Sequence, residues 1–201
     1  MPLEEDQPVR LILASASTTR LRVLRDAGFT PEVIVSGVDE TVDAPDTATA
    51  VVELATRKAM VVVDRSPSGL VLACDSLLDL EGHALGKPAS ATDAVDSWRR
   101  LRGKVAVLWT GHWLRDTRTG NTVTEAVWTT VRFGTPTDEE IDAYVATGEP
   151  LRLAGGFSIE GYGAPFVDSI DGDPSNVLGV SLPGFRRMLG VVGVSLTDLW
   201  S

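Results

Sequence analysis

Apolar and polar positions along this chain fall into two alternating spacings. Leu11-Ile12-Leu13-Ala14 is an unbroken apolar run of the length of a short buried strand. Small hydroxyl residues follow, and then a helical pattern in which Leu21, Leu24 and Ala27 approach one face, closed by Gly28 where a left-handed cap residue is favoured. The segment therefore predicts strand, tight loop and helix, with Ser17 or Thr18 as N-cap. Pro31 to Val38 alternates, with Val33 and Val35 on one face, and predicts a strand running into Asp39-Glu40-Thr41. From Thr47, positions Ala48, Val51, Val52, Ala55, Ala59, Val62 and Val63 approximate a 3.6 period and predict a long helix capped by Asp46 or Thr47.

After a turn at Ser66-Pro67-Ser68-Gly69, Leu70 to Cys74 reads as a continuous apolar central strand ending at Asp75-Ser76, with Leu77 to Leu80 a possible continuation. A helix is expected from Thr92 to Leu101, with Val95 and Trp98 on its inner face. Lys104–Leu114 and Asn121–Phe133 read as long strands joined by a turn at Arg115–Gly120. Thr137-x-x-Glu140 is a capping box opening a helix over Asp138–Ala146. A glycine-rich loop from Ala154 leads to a strand near Phe166-Val167, and Asp171 to Asn176 turns into a short helix. Ser181-Leu182-Pro183 opens a last helix carrying Phe185, Met188 and Leu189, with proline at a permitted first-turn position. The pattern predicts an α/β (α+β mixed) protein with a mixed sheet, without repeats or a flexible linker.

Composition narrows the function classes. The 201 residues suffice for one domain, in two lobes, with Met1 to Val9 a flexible N-terminus. A net charge of −10 disfavours a nucleic-acid polymer as partner, while a local cluster of cations could still hold a small anion. Cys74 is the sole cysteine, which excludes an intrachain disulfide and a multi-cysteine zinc site; inside an apolar run it reads as a buried small hydrophobe. The N-terminus has no secretory pattern, and no run approaches the roughly 18 apolar residues of a membrane span. A soluble, cytoplasmic protein without a membrane partner is expected.

Two motif-like stretches fail on chemistry. Gly82 to Pro88 resembles a P-loop but is one residue short, and Pro88 stands where a metal-binding hydroxyl is needed. Asp171-x-Asp173-x-Ser175 resembles a calcium loop, yet Asn176 replaces its glycine and Leu182 its bidentate glutamate. His83 and His112 are isolated, and His112 reads as structural. What remains is charge at the ends of apolar elements. Glu40 and Asp75, each expected at a strand end, could hold Mg²⁺ through oxygen. Arg20, Lys58 and Lys87 could balance a polyphosphate, and Ser15 and Ser17 are short donors beside a helix N-terminus, itself an anion site. Arg20 in a first turn opposes the helix dipole unless an anion lies between them. Lys58, late in its helix, also fits a plain surface lysine.

The ordered set Ser15-Ala-Ser17-Thr-Thr-Arg20, Val38-Asp39-Glu40-Thr41, Lys58-Ala59, Cys74-Asp75-Ser76, Leu85-Gly86-Lys87-Pro88, Thr110-Gly111, Gly155 to Gly161 and Asp173 to Gly179 resembles the Maf family of nucleoside triphosphate pyrophosphatases, a name that carries an effect on septum formation. The resemblance spans Leu11 to about Leu189. It implies an elongated mixed sheet flanked by helices, as in inosine-triphosphate pyrophosphatases, with the cleft between two lobes. It also implies a homodimer and hydrolysis of a nucleoside triphosphate to monophosphate and pyrophosphate with Mg²⁺ or Mn²⁺. Ser15, Ser17 and Arg20 match the family's phosphate-binding start, Glu40 and Asp75 its acidic positions, and Lys58 and Lys87 its active-site lysines; Asp75 matches the proton acceptor or a metal ligand. Thr19, Ser76 and Glu160 depart from the dTTP and UTP branch, which has arginine, threonine and glutamine there. Thr19 and Glu160 are more similar to the branch acting on 7-methyl-GTP. A base-selective enzyme of the 7-methyl-GTP, UTP or CTP type follows. The alternatives are a nucleotide-binding regulator of division with little turnover and a broad inosine-triphosphatase-like enzyme.

Overall fold

The computed structural model describes residues 9–65 and 68–200. The expectations for Met1 to Pro8 and for Ser66-Pro67 lie outside the described residues. Among the described residues seven strands form one mixed sheet: β1 (Leu11–Leu13), β2 (Glu32–Val33), β3 (Leu70–Leu80), β4 (His83–Leu85), β5 (Val105–Asp116), β6 (Thr122–Phe133) and β7 (Val167–Gly172). Their order is β2-β1-β3-β5-β6-β7, with β4 also paired to β3. The β1 pairings with β2 and β3 are parallel, and the remaining ladders are antiparallel.

Among the described residues six α-helices flank the sheet: α1 (Thr18–Asp26), α2 (Thr47–Val63), α3 (Ala91–Leu101), α4 (Asp138–Ala146), α5 (Pro174–Val177) and α6 (Leu182–Val192). Their ends follow local chemistry. Ser17 caps α1, Asp46 caps α2, and the capping box of α4 is complete, with both Thr137 and Glu140 engaged. α1 stops in a paired hydrogen-bond motif, Gly28 N–H to Arg25 C=O and Phe29 N–H to Leu24 C=O, with Gly28 at φ +88°.

Strand alternation sorts the core. Leu70, Leu72 and Cys74 point to one face and pack with Val23 and Leu24 of α1 and Phe185, Met188 and Leu189 of α6. Val71 and Ala73 point to the other and meet Ala55, Ala59 and Val62 of α2. A third cluster surrounds Trp98 of α3 beyond the far half of β3. Gly111 of β5 is where α2 comes closest: a Cβ there would lie 2.2 Å from the Val51 carbonyl oxygen, so only glycine admits the helix at this distance.

Three strand expectations are corrected in their bounds. The alternation over residues 31–38 forms only the two-residue β2, with Val33 and Val35 exposed. Among the described residues β2 has a single partner strand, β1, which is three residues long, so its ladder ends after Ile34 N–H reaches Leu13 C=O. Glu40 therefore sits in an irregular segment rather than at a strand end. Conversely Asp75 and Ser76 do not end β3: the strand passes through them into the continuation offered at Leu77 to Leu80, and β5 runs on past Leu114 to Asp116.

His112 is fully buried on β5 and structural, as expected: its Nε2 accepts from the Ser181 N–H at 2.9 Å. Burial, with Arg20 nearby, pushes its pKa down from 6.5 to about 4. The unfolded chain then binds a proton below 6.5 that the folded chain refuses until about 4, so stability falls as pH drops through that window, by on the order of 3 kcal/mol. His112→Gln retains an acceptor without titrating there. Urea unfolding at pH 7 and pH 4 should show a smaller acid loss in the variant; equal losses would remove His112 as the cause.

Candidate active-site cleft

The cleft exists because one edge of β3 is left open. On that edge β1 pairs with Leu70–Leu72 and β4 with Leu78–Leu80. The residues between them have β5 on their other side and, among the described residues, no strand on this one. β1 ends there and turns into Ser15–Ser17 and α1, which line a cleft of about 1010 Å³. Asp75 and Ser76 lie in the gap, and the pleat sends them to opposite faces. Asp75 follows Val71 and Ala73 towards α2; Ser76 follows Leu72 and Cys74 towards α1.

On the α2 side, Lys58 lies in the buried stripe of its helix, so its reading as a surface lysine is corrected. The residue is buried, and its Nζ pairs with Asp75 Oδ1 and, at 2.6 Å, with Glu40 Oε1. Lys87, after β4, lies 3.7 Å from Glu40 Oε2. Burial opposes ionisation of Glu40, but the hydrogen bond and charge of Lys58, with Lys87 and Arg20, hold its carboxyl below the ordinary value. Cys74, on the other face, has its thiol pushed up to about 12 by burial and is inert as a nucleophile at neutral pH.

On the α1 side, Ser17 Oγ accepts from the Arg20 N–H at 3.3 Å, and Ser15 Oγ accepts from the Ser17 N–H at 3.2 Å. The Arg20 guanidinium is held by Gly179 C=O (2.7 Å), Ser76 Oγ (3.0 Å) and Ser15 Oγ (3.2 Å). Thr19 lines the cleft beside it. Glu160, on the glycine-rich loop, lines it too, and its Oε2 is paired with Arg22 of α1.

All ten residues singled out from the sequence thus line one cleft: Ser15, Ser17, Thr19, Arg20, Glu40, Lys58, Asp75, Ser76, Lys87 and Glu160. Three participants escaped that reading. Arg22 was a plain helix residue, yet it partners Glu160. Arg152, just before the glycine-rich loop, adds a further cation to the wall. Gly179 closes the Asp173–Gly179 motif, but nothing in the sequence shows that its carbonyl holds Arg20. Among the described residues no group of three His, Cys, Asp or Glu side chains could hold a metal. Glu40 and Asp75 together offer two carboxylates already sharing one cation, Lys58.

A mixed α/β sheet with a cation-rich cleft at an open strand edge defines the class of protein. The chain belongs to the Maf family: the family model described as Maf-like protein matches residues 10–192. A Streptomyces coelicolor protein named nucleoside triphosphate pyrophosphatase is 52% identical over 195 residues, covering 96% of this chain and 95% of that one. A Streptomyces avermitilis protein of the same name is 52% identical over 200 residues, covering 98% and 97%. Among solved structures, the Staphylococcus aureus Ham1 protein aligns with a TM-score of 0.45 and 14% identity over 95% of this chain and 93% of that one. No helix among the described residues is long and apolar enough to cross a membrane.

Proposed function

We propose that this protein hydrolyses a nucleoside triphosphate between its α- and β-phosphates, yielding a nucleoside monophosphate and pyrophosphate. The observation that carries the reading is the Glu40–Lys58–Asp75 cluster at the base of a cleft whose opposite wall is the N-terminus of α1 with Arg20. The names of the Streptomyces relatives support it.

The α1 N-terminus and Arg20 bind phosphate oxygens through N–H donors, and Lys87 and Arg152 add positive charge along the wall. Lys58 fixes Asp75 through Oδ1, leaving Oδ2 as the acceptor for a water proton. That water's oxygen bonds to the α-phosphorus, the α–β bridging P–O bond breaks, and pyrophosphate leaves with its bridging oxygen. Such displacements need positioning and charge neutralisation more than covalent help. A divalent ion, Mg²⁺ or Mn²⁺, fits a pair of carboxylates completed by substrate phosphates and water, and Glu40 with Asp75 would hold it. Such an ion would neutralise charge developing on the phosphates.

The base is read by Thr19 and Glu160, which line the cleft beside the α1 residues that hold phosphate. Glu160 keeps Oε1 as a pure acceptor for base N–H groups while Oε2 is paired with Arg22, and Thr19 leaves room where an arginine would fill the site. A site built on such polar contacts discriminates strongly between bases. The enzyme is therefore expected to favour 7-methyl-GTP, UTP or CTP over dTTP. Initial rates across these nucleotides, GTP and ITP, with Mg²⁺ or Mn²⁺, test this. Turnover confined to one or two bases is expected; equal rates on all would overturn the selectivity. A cytoplasmic homodimer belongs to the same reading.

A further inference from the structure

Ser76 faces the cleft, yet its single hydroxyl proton points away from it. The direction follows from its neighbours. Thr110 Oγ1 donates to the Asn176 carbonyl at 3.1 Å, which uses Thr110's one proton. The 3.0 Å contact between Ser76 Oγ and Thr110 Oγ1 therefore has Ser76 as donor. Arg20 Nη2 donates to Ser76 Oγ at 3.0 Å. The result is a one-way chain: Arg20 to Ser76 to Thr110 to the Asn176 backbone.

Its far end is rigid. Thr110 and Asn176 are both fully buried. Asn176 Nδ2 donates to Thr129 Oγ1 at 3.1 Å, to Val127 C=O at 3.3 Å and to Leu108 C=O at 3.4 Å, tying α5 to β5 and β6. Gly179, three residues on, closes the turn with its N–H on the Asn176 carbonyl at 2.9 Å and accepts from Arg20 Nε at 2.7 Å. Two of the three holds on the guanidinium thus trace back to Asn176 of α5, one through the turn that Gly179 closes on its carbonyl and one through two hydroxyls. Of five guanidinium N–H bonds, three are taken, by Gly179, Ser15 and Ser76; five minus three leaves two, one on each Nη.

Resting on the triphosphate reading above, we propose that Thr110 is a positioning residue: through Ser76 it orients Arg20 so that its two remaining N–H bonds meet a phosphate, and the Ser76 hydroxyl serves this chain rather than the base. Ordering a planar cation in advance strengthens bidentate phosphate binding because less side-chain freedom is lost when the anion arrives.

The test separates phosphate from base by using tripolyphosphate, which has no base, as calorimetric probe on the full chain. Thr110→Val removes the chain's middle link; Thr110→Ser keeps it. Thr110→Val should weaken tripolyphosphate about tenfold, the worth of one charge-assisted hydrogen bond, and Thr110→Ser should stay within about twofold of the wild type. Combined with Arg20→Lys, Thr110→Val should add little, because it acts only through Arg20. Should Thr110→Val fail to fold, Ser76→Ala breaks the same chain one link nearer the cleft. Ser76→Ala should raise KM for all nucleotides alike and leave their ranking unchanged. Unchanged tripolyphosphate affinity in Thr110→Val, full additivity with Arg20→Lys, a re-ranking of bases by Ser76→Ala, or a wild type that binds no tripolyphosphate would each overturn the proposal. If the wild type turns over no nucleotide but Thr110→Val still weakens tripolyphosphate, the pyrophosphatase reading falls and the positioning role stands.

Discussion

Asp75→Asn should lower kcat by about 100- to 10,000-fold, the usual contribution of a positioned general base. The amide keeps the shape of the carboxyl and an oxygen for the Lys58 ammonium, and Lys58 keeps Glu40, so the cluster survives as a hydrogen-bonded unit. What disappears is the acceptor for the water proton and one negative charge beside the phosphates. The variant should fold, with far-ultraviolet circular dichroism and a cooperative melt like the wild type's. Turnover within about threefold of the wild type in such a folded variant would take Asp75 out of the chemistry.

Lys58→Met should destabilise the protein by about 3–5 kcal/mol, because it leaves a buried carboxylate without its cation. Lys58 and Asp75 have side chains only 9% and 8% exposed, so water cannot replace the lost partner. The effect should depend on pH with a definite sign. In the wild type the Glu40 carboxyl is held below its ordinary 4.5 despite burial, with Lys58 foremost among the groups that lower it. A depressed carboxyl contributes stability above its unfolded value, and that contribution is lost as pH falls through the folded value. The variant lacks the Lys58 part of it. The stability gap between the two proteins should therefore be widest near pH 7 and narrow below about 4.5, as measured by urea unfolding. A gap that widens on acidification would contradict this electrostatic account.

Much of this molecule can be read from its residues, and the failures have physical causes. The capping box of α4, the cap and glycine stop of α1 and the apolar runs of β1 and β3 are local signals, and each formed as expected. β2 shows how alternation misleads: Val33 and Val35 repeat with the period of a strand, but a strand needs a partner, and β1 is too short to supply one. The error at Asp75 has the opposite origin. Two polar residues after an apolar run look like a strand end, whereas here they occupy the open edge of a strand that continues. Lys58 was legible in hindsight: it lies four residues from both Leu54 and Val62, inside the stripe that α2 buries. The ten cleft residues could be named from the ordered motifs, but their convergence could not. The Arg22–Glu160 pair spans 138 residues and the Arg20–Gly179 bond 159, distances over which periodicity carries no information.

The central claim is the position of the bond that breaks. Incubating the purified protein with UTP and 7-methyl-GTP in ¹⁸O-labelled water, with Mg²⁺ or Mn²⁺, and identifying the products by ³¹P NMR and mass spectrometry tests it directly. The account predicts pyrophosphate in equal amount to nucleoside monophosphate, with the label on the monophosphate. Inorganic phosphate with nucleoside diphosphate, or tight nucleotide binding without any cleavage, would contradict it.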